Sequence, residues 1–201
     1  MSKAVLASIL PWWCLEIAHG IKTVEVRKNK PNLPTPFKVY IYVPKKRPLL
    51  AWGDVFRGNW ETEFTTITGR SFDEASRIWG IFNGKVMGEF VCDEIKRIDV
   101  PYPAYWHELD KAMIDSVLGG TCLSLAQIHD YLGHRSGYGW HISDLDVYDS
   151  PQSLSIFHRP CPESLYCESC AMYRERENRC GNAALQITRP PQSWCYVEDL
   201  T

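Results

Sequence analysis

The sequence lacks any long apolar run, internal repeat or low-complexity tract. No stretch approaches the roughly 20 apolar residues that a membrane-spanning helix requires. The N-terminal segment carries one basic residue before an apolar run that Pro11 and Glu16 interrupt, which is not the pattern of a secretory signal peptide. We therefore expect a cytoplasmic protein that has no membrane partner. Its 201 residues, 45% of them hydrophobic, suffice for one enlarged domain.

Positive charge is scarce outside the first quarter of the chain. Residues 1–50 hold nine Lys or Arg against two acidic residues, whereas the remainder holds thirteen against twenty-two, for a net charge of −2. Because salt screens charge over about 10 Å, a local basic patch can attract a polyanion on an acidic body. The alternative is a solvated basic edge that protects strands from aggregation.

The periodic segments alternate irregularly between helix and strand. No regular βαβ order is present, which favours an α+β fold: a mixed β-barrel, closed or half-closed, with inserted helices. The predicted elements are helices at 11–18, 72–82, 105–116 and 124–132 and strands at 22–28, 38–43, 85–93, 137–148 and 194–199.

Local signals mark several of these elements. Pro11 is suited to the first turn of its helix, and Ser124 with Gln127 has the form of a capping box at the start of another. Gly88 marks a bulge or a close backbone approach within its strand. The polar step from Ser143 to Asp144 shifts the alternation, so 137–148 is either a strand pair or one bent strand.

The strand at 22–28 has a polar face. Its alternation places Val24 and Val26 towards a core and Thr23, Glu25 and Arg27 on the opposite face. The planar guanidinium of Arg27 and the ammonium of Lys22, at the start of the strand, are suited to flanking a phosphate or a base edge. The alternative is a salt-bridge ladder on an exposed strand face.

The pattern Gly20-x-Lys22-Thr23-x-Glu25-x-Arg27, which follows an N-terminal helix, resembles the signature of the ASCH family. The resemblance implies a PUA-like barrel with a cleft beside the first helix, proposed to bind RNA or modified nucleosides. Lys22, Thr23, Glu25 and Arg27 would line that cleft. Single-stranded nucleic acid is also held by base stacking on aromatic side chains, and the aromatic candidates adjoining the motif are Trp12 and Trp13.

Two later segments extend the resemblance. Residues 84–90 resemble the next strand of the family, and 137–157 resemble the closing strand of its larger, phage-associated members. This reading predicts a barrel over 1–157 that carries insertions at about 44–83 and 99–135. The chain would continue with a cysteine-rich loop at 158–182 and a C-terminal segment at 183–201 that returns to the barrel.

The resemblance also leaves an enzyme open. Some small ASCH-like proteins are amidohydrolases that deacylate acetylated cytidine, and Lys22 matches their lysine, although Glu25 stands where those enzymes carry a hydroxyl. The acid would then be Glu89 or Glu94. Other members have been proposed to be ribonucleases, for which His141 is a candidate general acid or base, although a lone histidine in a strand is more often structural.

Half of the eight cysteines fall in one short window. The window has one Cys-x-x-Cys pair, which is the spacing of a zinc half-site. It has few large aliphatic residues, so burial alone would not order it, and a bound metal would supply the missing stabilisation. We predict a structural zinc bound by four thiolates, with reduced thiols in a flexible loop as the alternative and His158 or Cys195 as substitute ligands. The predicted ligands form the cysteine cluster: Cys161, Cys167, Cys170 and Cys180.

Overall fold

The computed structural model describes residues 2–46, 48–50, 81–133, 135–162 and 182–200. Almost all of the predicted helix at 72–82, and all of the cysteine cluster except Cys161, lie outside these residues. The elements in chain order are β1 (Lys3–Ser8), α1 (Pro11–Ala18), β2 (Val24–Arg27), β3 (Phe37–Tyr42), β4 (Val86–Cys92), β5 (Ile95–Ile98), a 3-10 helix (Pro103–Glu108), α2 (Lys111–Leu118), α3 (Leu125–Leu132), β6 (Gly137–His141), β7 (Ser143–Gln152), 3-10 turns (Leu154–Ile156 and Ala183–Leu185) and β8 (Trp194–Glu198).

The strands form two sheets. The larger sheet has the strand order β7-β4-β3-β1-β8, in which β1 and β3 are parallel and every other neighbouring pair is antiparallel. The smaller sheet has the order β2-β6-β5 and is antiparallel throughout. The α+β class is therefore confirmed, but the strand pairing among the described residues does not close a barrel. The chain bends after β6, where Asp144 has a φ of 45°, so β6 pairs in the small sheet and β7 in the large one.

Two strands were not predicted from the sequence. The first, β1, lies between β3 and β8, and its residues Ala4 to Ala7 are completely buried. A central strand with both faces covered reads as a continuous apolar run and shows no alternation. The second, β5, is a short edge strand whose two middle residues are exposed, so it carries little hydrophobic pattern.

The small sheet lies between two apolar clusters. One face bears Trp140, which packs into the main core together with α1 and one face of the large sheet. The other face bears Val26 and Ile98, which pack on Ile128 and Leu132 of α3. This arrangement places β2 between α1 and the helices inserted at 99–135.

The inserted helices match the sequence prediction only in part. The capping box of Ser124 with Gln127 is present at the start of α3, as predicted. The single helix predicted at 105–116 is wrong. A 3-10 helix that begins at Pro103 is followed by an extended residue, and α2 then starts at a new N-cap, Asp110.

Gly88, predicted to mark a bulge or a close backbone approach, does both. The β4-β7 register shifts beside it, and a Cβ at this position would clash with the backbone oxygen of Asp146.

Among the described residues, no helix is both long and apolar enough to cross a membrane.

Candidate ligand-binding cavity

A cavity of about 640 Å³ opens beside β2. It is bounded by the start of α1, by β2, by α3 with its preceding loop, and by the segment Pro190, Pro191, Gln192 and Ser193 that leads into β8. Its volume lies within the range of about 300–1,000 Å³ that is usual for small-molecule sites. The strand singled out by the sequence therefore borders a hollow large enough for a ligand.

The polar side chains of this strand are buried. Lys22, Glu25 and Arg27, which we call the charge triad, are 2%, 7% and 4% exposed. Glu25 bridges the two cations, with its Oε2 3.4 Å from the Lys22 ammonium and its Oε1 3.1 Å from Arg27 Nη2. The exposed salt-bridge ladder considered as an alternative is therefore wrong, because α1, the inserted helices and the segment before β8 cover the strand.

The ammonium of Lys22 is fully engaged within the protein. Its Nζ donates to the carbonyl oxygens of Val24 and Thr121, at 2.8 and 2.7 Å, and its third neighbour is the Glu25 carboxylate. Thr121 belongs to the loop between α2 and α3. Lys22 thus ties that loop, and the part of the cavity surface that follows it, to β2.

Arg27 ties the opposite side of the cavity to the same strand. Its Nη1 donates to the backbone oxygen of Ser193 at 3.1 Å and its Nη2 to that of Ser8 at 3.0 Å. Its buried Nε has no hydrogen-bond partner among the described residues. Because Glu25 contacts both cations, the charge triad couples the two sides of the cavity and positions them.

Aromatic and apolar side chains line the cavity above the triad. Trp13 of α1 lies on one side, with the Lys22 ammonium 5.3 Å from its ring centroid, and Tyr131 of α3 lies on another. Burial raises the pKa of Tyr131 above its ordinary value, so its phenol stays neutral and retains a proton to donate. Leu10 and Leu123 add apolar surface.

Positive charge also lies at the edge of the cavity. Lys46 is a lining residue, and the ammonium of Lys28 lies 5.3 Å from the ring centroid of Tyr131. Among the described lining residues, three are cationic and Glu25 is the one carboxylate. The cavity is therefore cationic and largely apolar, which suits a flat, partly apolar anion.

Three of the predicted site residues lie away from the cavity. Trp12 points outward from α1 and is 45% exposed. Thr23 is exposed, and its backbone amide donates to the oxygen of Gly120. His141 pairs through Nδ1 with the Asp93 carboxylate at 2.7 Å, with both side chains about half exposed, and this hydrogen bond lowers the pKa of Asp93.

The two candidate acids are engaged elsewhere. Glu89 pairs with Lys38 at 2.8 Å and accepts a hydrogen bond from Tyr148, in a separate polar network on the large sheet. Glu94 pairs with Lys96 at the surface, where both side chains are more than half exposed. Neither acid lines the cavity.

Sequence reasoning missed the surfaces opposite β2. Tyr131, Gln127 and the segment 190–193 line the cavity but belong to regions that the sequence presented as an insertion and as the entry to a strand. The periodicity of α3 gave one signal of this surface. Because Ile128 and Leu132 lie on the buried face of the helix, its neighbouring positions face a different surface.

The described residues contain no group of three or more side chains able to hold a metal ion. Cys161 is a free, partly buried thiol, and the other three residues of the cysteine cluster are not described. The zinc site therefore stays a prediction.

No family model and no curated protein matches the chain. Among solved structures, it is similar to the crystal structure of ASCH from Zymomonas mobilis, with 18% identity and a TM-score of 0.46 over 97% of this chain and 87% of that one. Two mutants of that protein give TM-scores of 0.45, at 18% identity over 98% and 91% and at 19% over 97% and 88% of the respective chains. A likeness at this level assigns neither a family nor an activity.

Proposed function

We propose that the cavity binds one base of single-stranded RNA or of a similar nucleotide ligand. The observation that carries the proposal is the placement of Trp13 and Tyr131 around a hollow beside a buried, net-cationic triad. Aromatic rings stack on any nucleobase, and cationic surfaces attract the attached phosphate. Both components are present in one cavity.

The residues around the cavity fall into two groups, those that hold its sides in position and those that are available to a ligand. Lys22 has three hydrogens and three oxygen neighbours within the protein, so it serves as a positioning residue and not as a phosphate ligand. The groups available to a ligand are the Trp13 and Tyr131 rings, the side chain of Gln192 and the ammonium of Lys46. The base would stack, and Lys46 would face its phosphate.

The sequence resemblance to the ASCH family supports the same ligand class. The motif from Gly20 to Arg27 is the part of the chain that carries this resemblance, and it borders the cavity. We accordingly propose an ASCH-type, PUA-like module, related to the larger phage-associated members, in which the cleft expected beside the first helix corresponds to this cavity.

The hydrolase alternative has no comparable support. Lys22 donates to two carbonyl oxygens and contacts the Glu25 carboxylate. An ammonium held in this way has no lone pair with which to attack a carbonyl group or accept a proton. The nearby thiol of Cys14 is completely buried, and burial raises its pKa well above the ordinary value, which makes it a poor nucleophile. A binding role therefore agrees better with these contacts than catalysis through Lys22.

The test compares two adjacent tryptophans. Fluorescence anisotropy of a labelled single-stranded RNA of about six nucleotides, a length within the usual site sizes, would measure affinity at low salt. Trp13→Ala should weaken binding by about 5- to 150-fold, the equivalent of one lost stacking contact. Trp12→Ala is the matched control, because Trp12 lies outside the cavity, and should bind like the wild type. Equal affinity of Trp13→Ala and the wild type would refute the cavity as the site.

A further inference from the structure

Two lysines continue the cationic surface beyond the cavity. Lys28 and Lys30 follow β2 directly and are exposed. The ammonium of Lys28 lies 5.3 Å from the ring centroid of Tyr131, and that of Lys30 lies 5.8 Å from the ring centroid of Tyr138. Neither lysine forms an ion pair within the described part of the chain, so no carboxylate among those residues neutralises their charge.

The strand register makes these pairs continuous with the cavity. Tyr131 is itself a lining residue. Tyr138 on β6 is directly opposite Arg27 on β2, so both side chains lie on the same face of the small sheet. Tyr138 is therefore the neighbour of Arg27 across the small sheet, and the Lys30 ammonium lies over its ring.

The surface ends at the following strand. Arg97 on β5 is the next residue in register after Tyr138, but its Nε lies 2.9 Å from the Asp99 carboxylate. Its charge is thus balanced, in contrast to those of the two lysines. The cationic strip comprises Lys28, Lys30 and the rings of Tyr131 and Tyr138.

We infer that this strip binds the phosphates next to a base held in the cavity, so that the ligand is a single-stranded oligonucleotide and not a mononucleotide. This inference rests on the proposed function. Lysines held over aromatic faces keep their hydrogens for an acceptor, and the rings supply further surface against which flanking bases can stack. A lone nucleotide would fill the cavity and leave the strip unused.

The salt dependence of binding tests the inference. For single strands, the slope of log affinity against log salt is about −0.7 for each phosphate neutralised. Lys28→Gln with Lys30→Gln should therefore make the slope shallower by about 1.4 for the labelled RNA. Lys30→Gln alone should leave the affinity for uridine 5′-monophosphate, measured by calorimetry, unchanged, because its partner Tyr138 does not line the cavity. Lys3→Gln, an exposed lysine on β1, is the control and should keep the wild-type slope.

The outcomes separate this inference from the proposed function. An unchanged slope in the double variant, together with weakened binding by Trp13→Ala, overturns the strip and leaves the cavity standing. A shallower slope without any effect of Trp13→Ala overturns the cavity as the base-binding site. It also overturns the inference that the cationic strip binds phosphates next to a base held there. Equal affinity of the wild type for the RNA and for the mononucleotide also overturns the strip.

Discussion

The most direct test of the charge triad is the substitution Glu25→Gln. The change keeps the shape of the side chain but removes the one negative charge between two buried cations, whose side chains are 2% and 5% exposed. An amide group would also point an N–H donor at one of the two cations. We therefore expect lower stability without a change in volume.

The magnitude follows from the remaining contacts. Removing one partner of a buried ion pair usually costs about 3–5 kcal/mol. Here Lys22 keeps two carbonyl acceptors, and Arg27 keeps the backbone oxygens of Ser8 and Ser193. The loss should thus lie near the lower end, at about 3 kcal/mol, which lowers Tm by about 6–12 °C in a domain of this size.

The assay is thermal and urea unfolding followed by circular dichroism. Glu94→Gln is the matched control, because it makes the same change in an ion pair with Lys96 in which both side chains are more than half exposed. Such exposed pairs contribute about 0–1 kcal/mol. A Glu25→Gln variant no less stable than Glu94→Gln would refute the coupling role of the triad.

Three further predictions concern other parts of the chain. Stability should fall above about pH 10. Burial raises the pKa of Tyr148. Burial lowers the pKa of Lys38, but the hydrogen bonds and negative charges of Glu89 and Asp199 together outweigh it and raise that pKa, so the unfolded chain releases both protons first. Urea midpoints across that range should decline, less steeply in Tyr148→Phe, and a flat profile would contradict the assignment. Gly88→Ala should cost about 1–3 kcal/mol in urea unfolding, since the new methyl group meets the Asp146 backbone; an unchanged midpoint would contradict this close approach. Metal analysis of folded, chelator-washed protein should find about one zinc per chain bound by the cysteine cluster, and finding none would exclude the structural zinc.

Local patterns predicted those elements whose signals lie in neighbouring residues. Pro11 at the start of α1 and the Ser124 capping box both act within one helical turn, and both are where the sequence placed them. The bend between β6 and β7 was likewise visible as a break in alternation at Ser143 and Asp144. In contrast, β1 gave no strand signal because it is buried on both faces.

Partners distant in the sequence decided the burial of the triad. The acceptors of Lys22 and Arg27 include Thr121 and Ser193, which lie 99 and 166 positions further along the chain. A pattern of alternating charges within one strand is the same whether that strand faces water or a covering layer. The sequence therefore identified the polar face of β2 correctly but could not show what covers it.

The same long-range contacts change the roles of the residues that the motif singled out. A cation that contacts a ligand must keep donors for it, whereas Lys22 donates to two carbonyl groups and contacts Glu25. The residues left to contact a ligand, Trp13 and Tyr131, belong to α1 and to the inserted α3. The motif therefore shapes the cavity, whereas the residues around the motif determine which ligand binds. Substitutions in α3 should alter which base is preferred. Substitutions in the charge triad should alter stability and binding together.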